Sequence, residues 1–340
     1  MRTKRQEMSG FAIATTLIMG LAGAIAMPVQ AQYTTVRLEN RTVRDEADRL
    51  LDLGQQQAKD GKHREAIKTW LYAIGYYRRV NDQPSISYTL ARVADAYEKM
   101  GARNAAQDTM HKNIDYANML QDQGSVMRSA NNLASIAISK RQLDSAKTLT
   151  SRALQLADAN DQPHDRAIAL GNQGLIASIH GDHLQALRLY AQSVIERPLR
   201  DAIGDGHTYV NSGDVWLAKD DYKRALKDYG MALTIARQYN NYQLMAVASD
   251  RLIHAYLEVP NFYRIEELLQ NRSSLALVMG DRETAANVQR YLGDLYLSFG
   301  NLPKARAAYQ ESYDFAAMLE DTSSLPLREA YFKLQALEKL

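Results

Sequence analysis

Three asparagines occupy one recurring place in this sequence. Asn132, Asn172 and Asn211 each lie 14 residues before an alanine, namely Ala146, Ala186 and Ala225. A carboxamide carries both a donor and an acceptor, so it can pair with the C=O and the N–H of a peptide main chain. A row of them can hold an extended chain whatever its side chains, as a strand edge does. The same count places Arg92, Arg251 and Tyr291 in other segments, and three residues further on stand Asp95, Asp214, His254 and Asp294. Asn131 and Arg128 adjoin Asn132, and His207 precedes Asn211 by four residues. Because Arg and Asp are mixed along this stripe, it does not call for a ligand of one strong charge. The amides have an alternative use, which is to bond neighbouring helices and order them.

Other chemistry finds little support. There is no phosphate-cradling Gly-Lys-Ser/Thr loop, no Gly-x-Ser-x-Gly elbow, no His-Glu-x-x-His and no cysteine nucleophile. Asp201, Asp205 and Gly206 fall at the first, fifth and sixth places of a calcium loop, but Ile203 and Ser212 stand where the third and last ligands belong. The run His180-Gly181-Asp182-His183, with His164 and His207 in flanking segments, has metal-ligand residue types. It straddles a chain reversal, where polar turn residues are the simpler account. No paired acid and base emerges, so the chain reads as non-catalytic, without a metal or other cofactor.

These residues sit on a periodic scaffold. Asp82, Asp122, Asp161, Asp201, Asn241, Asp281 and Asp321 follow one another at about forty residues. Between them, apolar and small residues recur with helical spacing. A second mark falls mid-unit and ends at Ala66, Ala106, Ala146, Ala186, Ala225 and Ala305, with Gly61, Gly101, Gly181 and Gly300 suited to a left-handed helix end. Each unit is therefore expected to be helix, tight turn, helix. A short oxygen-bearing side chain at the forty-residue mark can tolerate the turn and also cap the next helix.

The pattern resembles the tetratricopeptide repeat, in a long variety. The fifth unit carries Gly213, Trp216, Ala225, Tyr229 and Ala232; the seventh carries Leu292, Gly293, Tyr296, Ala305 and Tyr309, with Ser312 departing from alanine. Gly54, Ala66 and Trp70, and then Gly174, Ala186 and Tyr190, match in the first and fourth units. Ala94 and Tyr97 match in the second, Ala134 and Ala153 in the third. The sixth is degenerate, with Ile253 and Ile265 in place of small residues and Pro260 in its turn. Small residues let helix backbones approach closely, and the aromatic is expected to fill the gap to the next unit.

The resemblance implies an all-α, right-handed superhelical α-solenoid of about seven helix-turn-helix units. Their approximate bounds are 42–82, 83–122, 123–161, 162–201, 202–241, 242–281 and 282–321, together spanning 42–324. An amphipathic capping helix over 325–340 follows. The resemblance also places the asparagine stripe on the inner, concave surface, similar to the amide ladder of peptide-binding superhelical repeats. It partly resembles a carboxylate clamp, although that clamp's lysines are missing here. The function it implies is a protein or extended-peptide binding scaffold. A structural assembly subunit and a small-molecule or glycan receptor are the alternatives.

Composition agrees with a folded chain: 46% of its 340 residues are hydrophobic. The basic start Arg2, Lys4, Arg5, the apolar run Phe11–Met27 and the β-branched Val29 and small Ala31 at the −3 and −1 places read as a signal peptide over 1–31, cut after Ala31. Residues 32–41 then form a short extension. An uncleaved anchor is the alternative, since the apolar run approaches a membrane span. Formal charge is +2, and the leader accounts for it (three basic residues less Glu7), so the rest is about neutral and lacks a nucleic-acid footprint. The absence of cysteine excludes disulfides and a lipid-carrying cysteine, and fits an exported periplasmic or secreted protein without stable membrane insertion.

Overall fold

The computed structural model describes residues 29–198, 201–319 and 325–337. The expected leader lies outside the described residues up to residue 28, and so does the mark at Asp321. The described residues form fifteen α-helices without a strand: α1 Val29–Lys59, α2 His63–Arg79, α3 Gln83–Lys99, α4 Arg103–Met119 and α5 Gln123–Ser139. Then come α6 Leu143–Ala159, α7 Pro163–Ile179, α8 His183–Glu196, α9 Ala202–Ala218 and α10 Tyr222–Gln238. The last five are α11 Tyr242–Glu258, α12 Phe262–Val278, α13 Arg282–Ser298, α14 Leu302–Ala317 and α15 Leu325–Leu337.

Most turns share one geometry. Between α2 and α3, Asn81 takes φ +54°, and the Asp82 N–H reaches back to the Tyr77 carbonyl at 2.9 Å. This closes α2 with a Schellman-type bond. The Asp82 carboxylate then accepts from the Ser85 N–H and caps α3. Turn tolerance and capping thus fall to two successive residues, not to one side chain as the sequence reading has it. Gln121 with Asp122, Asn240 with Asn241 and Gly280 with Asp281 repeat this division. Asp161 is itself the left-handed residue, and Gln162 after it supplies no side-chain cap. Gly61, Gly101, Gly181 and Gly300 hold the left-handed site of their mid-unit turns. The α11–α12 turn has no such residue: Val259 takes φ −120° and Pro260 follows.

Within a unit, the aromatic of the second helix lies across the glycine of the first. A Cβ added at Gly213 would stand 2.4 Å from Tyr229, at Gly293 2.5 Å from Tyr309, at Gly174 2.6 Å from Tyr190 and at Gly54 2.4 Å from Trp70. The aromatic therefore occupies the missing side chain's space in its own unit, a correction to the expected gap-filling toward the next. Its hydroxyl ties the same helices, since Tyr229 donates to Asp214 and Tyr309 to Asp294, both at 2.7 Å. Leu175 stands at the matching place opposite Tyr190, whose buried hydroxyl has no hydrogen-bond partner among the described residues.

Each helix packs on its chain neighbours, and the odd-numbered helices also meet one another, as α3–α5, α5–α7, α7–α9 and α9–α11. The even-numbered helices make no comparable mutual contact among the described residues. Odd helices therefore form the inner wall of a curved stack. At the end, α15 lies against α13 and α14, with Glu329 paired to Arg290 at 2.8 Å and Lys333 to Asp294 at 2.7 Å.

Candidate ligand-binding groove

The equal length of the odd helices from α3 to α13 keeps the repeated positions in register. Arg92, Asn132, Asn172, Asn211, Arg251 and Tyr291 are each the tenth residue of their 17-residue helix. Asp95, Asp214, His254 and Asp294 are the thirteenth. One turn apart, the two positions share a helix face.

The asparagines do not act alike. Asn132 is exposed. Asn172 is half-buried and already engaged: its Nδ2 donates to the Asn131 carbonyl at 3.1 Å, and its Oδ1 accepts from Ser135 at 3.2 Å. It joins α7 to α5. Asn211 is half-buried and lines none of the cavities described below. The expectation that Asn131 lines the groove does not hold, because it is only 1% exposed and donates to the Asp165 carbonyl. A continuous row of free amides is therefore replaced by the exposed Asn132, the half-buried Asn211 and two amides, Asn131 and Asn172, that bond a neighbouring helix.

Charged and apolar side chains make up the rest of the wall, and they gather in three cavities. The first, of 480 Å³ between α3, α4 and α5, is lined by Arg92, Asp95, Arg128, Asn132 and Tyr88. Its floor is a buried chain in which Ser87 donates to Asn113 at 2.7 Å and Asn113 donates to Ser129 at 2.9 Å. The Arg92 guanidinium lies 5.2 Å from the Tyr88 ring centre, a cation–π distance. Arg128 donates to Ser125 at 3.1 Å. Neither arginine has an ion-pair partner among the described residues. Asp95, by contrast, pairs with Lys99 at 3.1 Å. Burial pushes the Asp122 carboxyl upward, but hydrogen bonds from Ser125 and the nearby Arg128 outweigh it and leave its pKa below the usual range.

The second cavity, of 310 Å³, lies between α9 and α11 and is bounded by Asp214, Leu217, Ala218, Arg251 and His254. Arg251 Nε meets Asp214 at 2.7 Å, so these wall charges neutralise each other across two units. His254 also borders the third cavity, of 610 Å³, with Asp250, Tyr291 and Asp294. Asp294 receives Tyr309, Lys333 and Arg290 and is fully committed.

His207 is exposed on α9, yet protein lies close around it. The resulting desolvation, together with the charge of Arg197, lowers its pKa below the ordinary imidazole value. Arg197 belongs to a cluster that the sequence reading missed. With its side chain 5% exposed, it contacts Asp201 at 2.6 Å and Asp205 at 3.1 Å, and His164 approaches Asp201 at 3.3 Å. The signal was Pro198, which accompanies an α8 of 14 residues where its neighbours have 17. Tyr88 and Asn113 were also missed, because nothing in their spacing sets them apart from packing residues.

Among the described residues no group of three His, Cys, Asp or Glu is placed to hold a metal ion. His180 and His183 flank a turn in which Gly181 is left-handed and Asp182 caps α8. No described helix is long and apolar enough to cross a membrane.

No protein-family model and no curated protein sequence matches the chain. Solved structures do. The signal-transduction ATPase with a tetratricopeptide repeat sensor from Pyrococcus horikoshii superposes with a TM-score of 0.63 at 15% identity, over 86% of this chain. The present chain spans only 44% of that protein's length. The apo form of the quorum sensor NprR from B. thuringiensis gives 0.59 at 14% identity, covering 84% of this chain and 85% of that one. A Rap protein complexed with competence and sporulation factor gives 0.56 at 15% identity, covering 88% and 98%. At these identities the likeness speaks for the fold, which is that of the tetratricopeptide-repeat α-solenoids.

Proposed function

We propose that the chain is a non-catalytic binding scaffold whose inner wall holds an extended peptide or a partner's extended segment. The observation that carries this reading is the first cavity. Arg92 and Arg128 have no ion-pair partner there among the described residues, Arg128 giving one donor to Ser125. They stand next to the free amide of Asn132, whereas Arg251 and Arg290 are paired with carboxylates within the protein. Donors left open on a preformed wall can meet carbonyl and carboxylate oxygens without first breaking internal bonds. The likeness to Rap structures solved with competence and sporulation factor, and with the Phr* peptide, supports the same class of ligand. The leader further suggests an exported, envelope-facing scaffold.

The triple substitution Arg92→Gln, Arg128→Gln and Asn132→Ala tests the reading, because all three side chains are exposed and the stack should persist. Partners captured by the native chain should be lost by the variant at unchanged thermal stability. An unchanged set of partners refutes groove binding and favours an assembly subunit that uses its outer faces. Export is tested separately, by fractionating cells that express the chain with and without residues 1–31.

A further inference from the structure

The sixth unit departs from the repeat at the positions that knit the others together. Elsewhere the twelfth residue of the first helix is small, as in Gly174, Gly213 and Gly293, and the fourth residue of the second helix is Ala. The eighth residue of the second helix is often the aromatic that covers that glycine. In α11 and α12 these three places hold Ile253, Ile265 and Leu269. All three line the 610 Å³ cavity, which Leu257, Val288 and Leu295 complete. The degenerate unit has thus exchanged its internal aromatic–glycine stack for an apolar chamber open to the wall, floored by the packed Ile265 and Leu269. The neighbouring first helices do not close it, since α11 and α13 do not make the contact that α9 and α11 do.

The chamber opens on the inner wall, because His254, Tyr291 and Asp294 at its rim occupy the wall's tenth and thirteenth positions. It adjoins the second cavity through His254, so whatever enters it can continue along the groove. Its interior is branched aliphatic, which penalises a charged occupant. Its rim is polar, and neither His254 nor Tyr291 holds a hydrogen bond among the described residues, leaving both to meet a main chain. The volume falls in the range of preformed ligand pockets. From these features, and resting on the groove reading above, we infer that the chamber anchors one large apolar side chain, aromatic or leucine-like, of the extended segment lying along the wall.

Two octapeptide pools, randomised except for a central phenylalanine in one and serine in the other, test this by fluorescence anisotropy. Burying one such side chain corresponds to about 10- to 100-fold in affinity, so the native chain should favour the phenylalanine pool by that ratio. Leu257→Trp, at an exposed lining position, should plug the mouth and bring the phenylalanine pool to the level of the serine pool. Leu257→Asp should do the same by charging the mouth, and covers the case in which the tryptophan variant does not fold. Leu71→Trp on α2, outside the chamber, should keep the preference. A preference that survives both Leu257 variants overturns the anchor. Equal binding of the two pools overturns it while leaving the groove intact, and binding of neither pool refutes the groove as well. Free indole that binds the native chain but not Leu257→Trp, with the two pools bound equally, would make the chamber a small-molecule site and also overturn the inference.

Discussion

Gly213→Ala should destabilise the protein, although the same exchange inside an exposed helix ordinarily helps. Alanine gains about 0.5–1 kcal/mol over glycine in a helix interior. At Gly213, however, the new Cβ would stand 2.4, 2.7 and 2.9 Å from three ring carbons of Tyr229. Carbon contacts settle near 3.5–4.0 Å, so the ring must retreat by roughly 1 Å. Tyr229 is fully buried in a cluster with Ala225, Leu233, Leu252 and Leu268, so its retreat must displace packed neighbours. Such overpacking costs about 1–3 kcal/mol. Displacing the Tyr229 hydroxyl from Asp214, 2.7 Å away, adds the loss of a hydrogen bond to a charged group, about 1.5–3 kcal/mol. Even with partial relaxation the balance is a loss of about 1–4 kcal/mol. Gly230, in the adjoining α10, has no heavy atom within 4 Å of a built Cβ, so Gly230→Ala should gain about 0.4–1 kcal/mol. Urea titration followed by far-ultraviolet circular dichroism, with Trp216 fluorescence reporting on the same cluster, reads both variants. Midpoints that move in the same direction would refute the account of aromatic–glycine packing.

Asp122→Ala removes the acceptor for the Ser125 N–H and should cost about 1 kcal/mol by urea titration, whereas Asp161→Ala removes no cap. Asn113→Ala breaks the chain from Ser87 to Ser129 and should cost about 1–3 kcal/mol in the same titration, since it leaves two buried hydroxyls without their partner. His207 has a folded pKa depressed by desolvation and by Arg197. As pH falls from about 6.5 toward the folded value, the unfolded chain takes up the proton first and stability drops. His207→Gln should flatten that slope in melts run from neutral pH downward, and an unchanged slope would show that the group does not contribute. Hydrogen exchange should find α11 and α12 opening before α9 and α10, because the sixth unit lacks the aromatic–glycine stack; equal protection would remove that reasoning.

The architecture was legible because it is written many times over. A helix that buries one face needs apolar residues at helical spacing, and the left-handed turn leaves its mark in Gly61, Gly101, Gly181 and Gly300. The register of Arg92, Asn132 and Tyr291 could be counted, since each unit repeats the same lengths. What those side chains do could not be counted. Asn131 and Asn132 are adjacent and of one type, yet one faces α7 and the other the groove, because side chains a hundred degrees apart on a helix meet different neighbours. Asn172 was equally suited to a ligand and to α5, and only the approach of α5 within hydrogen-bond distance decided for the latter.

The sequence by itself therefore determined the helical fold class, the repeat and the register of its positions, which follow from local periodicity and turn chemistry. The inward facing of that line of positions was what the family resemblance implied. Tertiary structure alone decided which charges on that line are spent. Arg251 is neutralised by Asp214 from another unit, while Arg92 lies over Tyr88 and Arg128 donates to Ser125, and neither forms an ion pair among the described residues. Tertiary structure alone also decided that Ile253, Ile265 and Leu269, while packed in the core, border an open apolar space on the wall. Pairing and packing depend on distances between units, and a one-dimensional pattern does not carry those distances.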